Sequence, residues 1–248
     1  MPSSTLAGKV ALITGGSKGI GRATALRLAD LGANVVINYS SDASAADDVV
    51  KLIGTDRSVA IKADAGNVND LERLVQETVA HFGKIDILVP NAGVLPMKDV
   101  KNTTEQDFDT AMALNVKGPF FLVQKAAPHM APGSHVILFS TTLCTASTVT
   151  PNYLLYVTTK GAVEQMTRVM SKDLARQGIC VNAVAPGPTG TELFFRGKSE
   201  ELLKTIAGFN PMNRIGMPEE IADVVAFLAS DSSRWITGQT VRVNGGMA

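Results

Sequence analysis

Residues 9–31 run from an apolar segment, Lys9-Val10-Ala11-Leu12-Ile13, through Thr14-Gly15-Gly16-Ser17-Lys18-Gly19-Ile20-Gly21 into a helix-like stretch, Arg22 to Leu31. Strand, glycine-rich turn and helix in that order constrain a fold tightly. The turn collects backbone N–H groups at the positive end of a helix dipole, which suits a phosphate. Gly15 permits the tight turn, Gly19 lets the backbone approach a pyrophosphate, and Gly21 lets the helix lie close on its sheet. Placed at the first strand–helix junction, the loop points to a bound dinucleotide, with Ser17, Lys18 and Ile20 completing its lining.

The rest of the chain repeats the alternation. Apolar runs at 9–14, 34–39, 57–62, 85–90, 134–141, 179–185 and 239–243 read as strands. Amphipathic stretches at 19–31, 43–54, 68–82, 104–130, 152–176, 199–208 and 218–229 read as helices. Val35-Val36-Ile37 and Ile85-Asp86-Ile87-Leu88-Val89 are near-continuous apolar runs, as expected of strands covered on both faces. Alternating strands and helices predict an α/β chain with a doubly wound parallel sheet, and 248 residues fit one such domain over 1–248. The least regular segment, 187–217, is rich in Gly, Pro, Thr and Phe. It follows a strand end, where such sheets hold their ligands, so it is read as a substrate lid.

Formal net charge is zero and 45% of residues are hydrophobic, which argues against a nucleic-acid or anionic-membrane partner and against disorder. Met1-Pro2-Ser3-Ser4-Thr5 lacks a basic n-region, and no run approaches the ~18 apolar residues of a membrane span. A soluble, cytoplasmic protein is expected. Cys144 and Cys180 read as ordinary reduced thiols, and His81, His129 and His135 lack metal-ligand spacing, so no metal is expected.

The acid that grips an NAD ribose belongs at the end of the second strand. That end reads Ile37-Asn38-Tyr39-Ser40-Ser41, with no carboxylate at 37–41. Asn38, Ser40 and Ser41 are hydrogen-bond donors for a 2′-phosphate beside Tyr39, and Lys18 adds a positive charge. NADP(H) is therefore expected over NAD(H). Asp64, followed by Ala65, closes the third strand. It reads equally as an acceptor for an adenine amino group or as a helix cap.

Tyr156 and Lys160 lie four apart at the start of a helix, hence on one face. A phenol titrates near 10, and a neighbouring cation brings it into range as the proton donor to a carbonyl oxygen. Asn115 lies within helix 104–130, which opens with a Thr103/Gln106 capping box. Pro119, four residues on, removes the N–H that would meet the Asn115 carbonyl, so a kink is expected there. A carbonyl so freed would hold a water linking Lys160 to solvent.

These residues together resemble the short-chain dehydrogenase/reductase family along nearly the whole chain. The loop Thr14-Gly15-(x)3-Gly19-x-Gly21 is similar to its cofactor motif, and Asn91-Ala92-Gly93 to its central-strand motif. Asn115, Tyr156 and Lys160 fall where its catalytic residues fall. Pro186-Gly187 followed by Thr191 is similar to its nicotinamide-side loop. The resemblance implies a single Rossmann-type domain with a seven-stranded sheet. It implies hydride transfer between a nicotinamide and a ketone or secondary alcohol, as in carbonyl and ketoacyl reductases. Tyr156 would be the acid–base, Lys160 would bind the nicotinamide ribose, and Thr189 and Thr191 would hold the carboxamide and pyrophosphate side. A homotetramer pairing helices 104–130 and 152–176 and the carboxyl-terminal strand is also implied.

Two departures stand out. Pro90 replaces the Asn usual before Asn91, and the family's catalytic Ser, 13 or 14 residues before the Tyr, has no match at Leu143. Strand register favours Thr141, spacing favours Thr142, and Ser140 has the family's residue type; Thr141 is chosen, since its hydroxyl donates equally well. Leu193, Phe194, Phe195, Phe209, Pro211 and Met212, with Val94, Leu143 and Tyr153, fit an apolar ketone. Arg196, Lys198 and Lys204 would instead suit the arm of an acyl-carrier substrate. A dinucleotide sensor on the same fold is the non-catalytic alternative, against which the Tyr156–Lys160 pair argues.

Overall fold

The computed structural model describes residues 6–248, apart from the Leu193 side chain, so the readings placed on Met1–Thr5 and on Leu193 lie outside the described residues. Seven parallel strands form one sheet: β1 (Val10–Ile13), β2 (Asn34–Tyr39), β3 (Ser58–Lys62), β4 (Ile87–Val89), β5 (His135–Phe139), β6 (Cys180–Pro186) and β7 (Thr240–Val243). Their order is β3-β2-β1-β4-β5-β6-β7. The winding reverses between β1 and β4, which pair Ala11 with Ile87 and Ile13 with Val89. Loops leaving the carboxyl ends of these two strands therefore diverge and open a crevice.

Side chains alternate across the sheet and build two cores. Val35 and Ile37 join Ile13, Leu28 and Val225 on the face covered by α1 (Gly19–Asp30), α2 (Ala43–Ile53) and α9 (Pro218–Leu228). Val36 joins Leu12, Leu74, Leu122 and Val163 on the opposite face, under α3 (Val68–Phe82), α5 (Gly118–Ala126) and α6 (Leu154–Leu174). Each such aliphatic side chain, fully buried, contributes about 1.5–3 kcal/mol. Pro90 falls one residue beyond β4, so its missing N–H lies outside the ladder, while the Val89 carbonyl still accepts from Thr14 N at 3.1 Å.

The stretch expected as one kinked helix over 104–130 is divided. It comprises α4 (Glu105–Met112), a π turn (Ala113–Lys117), α5 and a final 3₁₀ turn. The proline effect takes the form of a widened turn, in which Gly118 N–H reaches back to the Ala113 carbonyl. The capping box is one residue later than expected: Thr104 Oγ1 accepts from Asp107 N, and Asp107 Oδ2 from Thr104 N. Thr103 and Gln106 instead bond Asp99 O and Thr110 Oγ1.

Segment 187–217 is pinched at its base, where Gly190 N–H donates to Gly216 O and Gly216 N–H to Pro188 O. Between these ends it carries α7 (Glu192–Phe195) and α8 (Glu200–Ala207).

Candidate active site

The glycine loop is held from three sides. Gly15 (φ +61°) and Gly19 (φ +53°) sit in left-handed conformations. A Cβ at Gly21 would collide with the Gly15 carbonyl and come within 2.6 Å of Asn91 Nδ2. Asn91 Nδ2 donates to the Thr14 and Gly15 carbonyls at 2.9 and 3.1 Å, and Ala92 N–H to Thr14 Oγ1 at 3.1 Å. Helix α1 has neither a side-chain cap nor an acid in its first turn. Its amino end thus offers N–H groups to an anion. This donor set, with its glycine cradle, fits a dinucleotide pyrophosphate.

Asn38 does not play the part expected of it. It is buried, and Nδ2 donates to the carbonyls of Tyr39, Ile61 and Ala63 while Oδ1 accepts from Gly15 N. The amide ties β2 to β3 and to the glycine loop, which leaves none of its N–H groups for a phosphate. Ser40 and Ser41 are exposed beyond Tyr39. Lys18 is exposed but ion-paired, its Nζ 2.5 Å from Asp42 Oδ2. Asp42 lies one residue past the segment that carries no carboxylate. Its position before Ala43-Ser44-Ala45-Ala46, as the N-cap of α2, was the available signal.

Asp64 does not cap α3, whose N-cap is Asn67. Asp64 Oδ1 accepts from Gly66 N at 2.8 Å, closing a turn, and the carboxylate stays exposed beside buried Ala65. Thr189 Oγ1 donates to Gly187 O, and Thr191 Oγ1 accepts from Phe194 N to cap α7. Thr191 also packs on the glycine loop, its Cγ2 3.1 Å from where a Gly19 Cβ would lie. The loop from Pro186 to Thr191 thus joins the two halves of the crevice.

One hydrogen-bonded chain links the crevice to the proposed acid–base. Asn115 Oδ1 accepts from Val94 N, and Nδ2 donates to Val94 O and to Thr159 Oγ1, at 2.9, 2.9 and 3.0 Å. Thr159 Oγ1 donates to the Tyr156 carbonyl at 2.7 Å. Gly93 leaves room for this, since a Cβ there would lie 3.1 Å from Asn115 Oδ1 and 3.8 Å from Lys160 Nζ.

The Thr141 hydroxyl stands beside the Tyr156 phenol and favours its ionised form, while accepting from Leu143 N at 3.4 Å. The other two hydroxyls are engaged elsewhere: Ser140 Oγ donates to Glu164 Oε1 at 2.8 Å, and Thr142 Oγ1 accepts from Asn244 Nδ2 at 2.6 Å. Thr141 is thus the hydroxyl that the fold brings to the tyrosine. Glu164 escaped the sequence reading, although its place one turn beyond Lys160 and two beyond Tyr156 was the signal.

Electrostatics in the site run opposite to the expected tuning. Burial pushes the Tyr156 phenol up to about 12, partly opposed by the Thr141 hydroxyl. Burial pulls the Lys160 ammonium down to about 8. Lys160 Nζ donates to the Phe139 carbonyl at 2.8 Å and lies 5.8 Å from the Tyr156 ring centroid. With no carboxylate paired to Lys160 among the described residues, low polarity drives both groups toward their neutral forms. Cys144 and Cys180 are free thiols.

In segment 187–217, Phe195 lies over Gly190, its ring 3.1 Å from a Cβ position there. Arg196 pairs with Glu192 at 3.4 Å, and Lys198 folds back over the Phe194 ring at 4.7 Å. Two of the three basic residues weighed for an acyl-carrier arm are therefore engaged within this segment itself.

The reversed parallel sheet thus carries a glycine loop at its crevice and a Tyr–Lys pair beside a second hydroxyl, that of Thr141. A family model described as enoyl-(acyl carrier protein) reductase matches residues 15–248. A hydroxynaphthalene reductase-like protein Arp2 of Metarhizium brunneum is 41% identical over 256 residues, spanning 98% of this chain and 96% of that protein. A short chain dehydrogenase from Burkholderia cenocepacia, solved in complex with NADP, superposes with TM-score 0.93 at 33% identity over 98% of each chain. The angucycline C-6 ketoreductase LanV with bound NADP gives TM-score 0.91 at 39% identity, over 98% of this chain and 96% of LanV. The chain belongs to the short-chain dehydrogenase/reductase family of oxidoreductases.

Proposed function

We propose that the chain is a single-domain NADP(H)-dependent reductase that interconverts a ketone and a secondary alcohol. The observation that carries this is the Tyr156–Thr141 hydroxyl pair standing beside buried Lys160. NADP(H), when bound, supplies or accepts the hydride. The amino end of α1 and the glycine loop would hold its pyrophosphate, and Lys160 its nicotinamide-side ribose. Family members with NADP in their solved structures support the choice of cofactor. Thr141 and Tyr156 would bind the carbonyl oxygen, with Tyr156 giving it a proton on reduction and taking one on oxidation. Asn115 holds the Val94 loop against α6, and a water at its carbonyl would relay protons toward Lys160.

The relatives' names point to fused aromatic ketones, and the lid's Phe194 and Phe195 suit flat apolar substrates. A 3-oxoacyl thioester is the second reading; the matching family's description shares with it only the acyl-carrier arm, since an enoyl substrate is reduced at C=C rather than C=O. A panel of aryl, polycyclic and 3-oxoacyl thioester ketones, assayed by NADPH consumption, tests both; tight NADPH binding with no turnover on any would favour a sensor. A homotetramer is supported by Phe108, Phe120, Leu154 and Val169, exposed on α4, α5 and α6. No helix among the described residues is long and apolar enough to cross a membrane.

A further inference from the structure

The glycine loop and the end of β2 meet at an ion pair. Lys18 stands immediately before α1, and Asp42 caps α2 by accepting from Ala45 N at 3.0 Å through Oδ1. The other carboxylate oxygen, Oδ2, takes Lys18 Nζ at 2.5 Å. Both side chains remain about half exposed, so the pair is not locked by burial and exchanges with a competing charge. The other charged groups acting on Lys18 are Glu192, at the start of α7, and Arg196, just past its end, which oppose each other and are themselves paired. Asp42 is thus the group that claims the lysine. Next to this pair lie exposed Ser40 and Ser41, whereas Asn38 is committed inward.

A phosphate on the adenosine ribose would arrive among Ser40, Ser41 and Lys18. It would have to draw Lys18 away from Asp42 and then sit close to that carboxylate. An unphosphorylated ribose faces neither demand, and its hydroxyls find an acceptor in Asp42. We propose that Asp42 competes with the 2′-phosphate of NADP(H) for Lys18, and so limits how strongly this chain prefers NADP(H) to NAD(H). The proposal rests on the cofactor reading given above.

Asp42→Asn removes the charge and keeps a good N-cap acceptor for α2; Asp42→Ser is a second variant with the same property. Dissociation constants for NADPH and NADH, read by nucleotide fluorescence, are compared in wild type, Asp42→Asn, Asp42→Ser, Lys18→Met and the Lys18→Met/Asp42→Asn double variant. Calorimetric titration with 2′,5′-ADP and 5′-AMP isolates the phosphate. Asp42→Asn is expected to tighten NADPH and 2′,5′-ADP by about threefold to tenfold at low salt, to leave NADH and 5′-AMP unimproved, and to do nothing in the Lys18→Met background. Unchanged NADPH affinity in both neutral-cap variants overturns the proposal. So does a tightening that survives in full without Lys18, because Asp42 would then repel the phosphate directly. A wild type that binds NADH more tightly than NADPH overturns the cofactor reading itself, and that result is distinguishable because it appears before any substitution.

Discussion

At the residue scale burial shifts both ionisable groups of the site toward their neutral forms: Tyr156 keeps its proton, and Lys160 sheds one only above about pH 8. Thr141 should be the hydroxyl that matters. Thr141→Ala is expected to lower kcat about 10²-fold or more and Thr141→Ser to retain most of it, while Ser140→Ala and Thr142→Ala leave kcat within about threefold. Lys160 gives a pH signature. It titrates near 8 when folded against 10.5 when free, so below pH 8 the folded chain bears the full cost of a buried ammonium. As pH rises from 8 toward 10.5 the folded state has lost its proton and the unfolded state has not, so stability rises, by up to about 3 kcal/mol. Tyr156, raised from 10.0 to about 12, acts in the opposite direction between those two values. Chemical unfolding across pH 7–10.5 should show the first slope in wild type and not in Lys160→Met. That Tyr156, Lys160 and Asn115 come together was legible because spacing and order sufficed. Asn38 was misread because sequence does not reveal that three carbonyls at the end of β2 and β3 need its amide.

At the element scale the decisive parts are the turn between β1 and α1 and the π turn between α4 and α5. Gly21→Ala would press a methyl against the Gly15 carbonyl and Asn91. It is expected to abolish measurable NADPH binding by fluorescence titration, with near-native circular dichroism. Asn115→Leu strips partners from the Val94 backbone and Thr159. It is expected to cost at least about 2 kcal/mol in thermal unfolding and to lower activity. Helix and strand positions were readable from periodicity, and 34–39 and 68–82 match β2 and α3 to the residue. The break at 113–117 was readable only as a break, because Pro119 dictates that a hydrogen bond be lost and packing decides which turn replaces it. Where two adjacent threonines could each cap a helix, only the partner's reach decided for Thr104.

For the whole molecule, reversed winding at β1 and β4 places the glycine loop, the Asn91 segment and the end of β5 around one crevice. Segment 187–217 meets it at Thr191, which packs on the glycine loop. That architecture followed from the alternation of strands and helices. The substrate did not, because the irregular segment 187–217 has no periodicity from which its side chains could be placed. Sedimentation is expected to give four times the 26.1 kDa chain mass, with Phe120→Glu shifting the protein to smaller species. The most direct test of the account is NADPH oxidation with a polycyclic aryl ketone, in wild type and in Tyr156→Phe, alongside NADPH binding to each. Turnover in wild type that falls about 10²- to 10⁴-fold in Tyr156→Phe, with NADPH affinity retained, is the expected result. A Tyr156→Phe protein that reduces the ketone at the wild-type rate would contradict it.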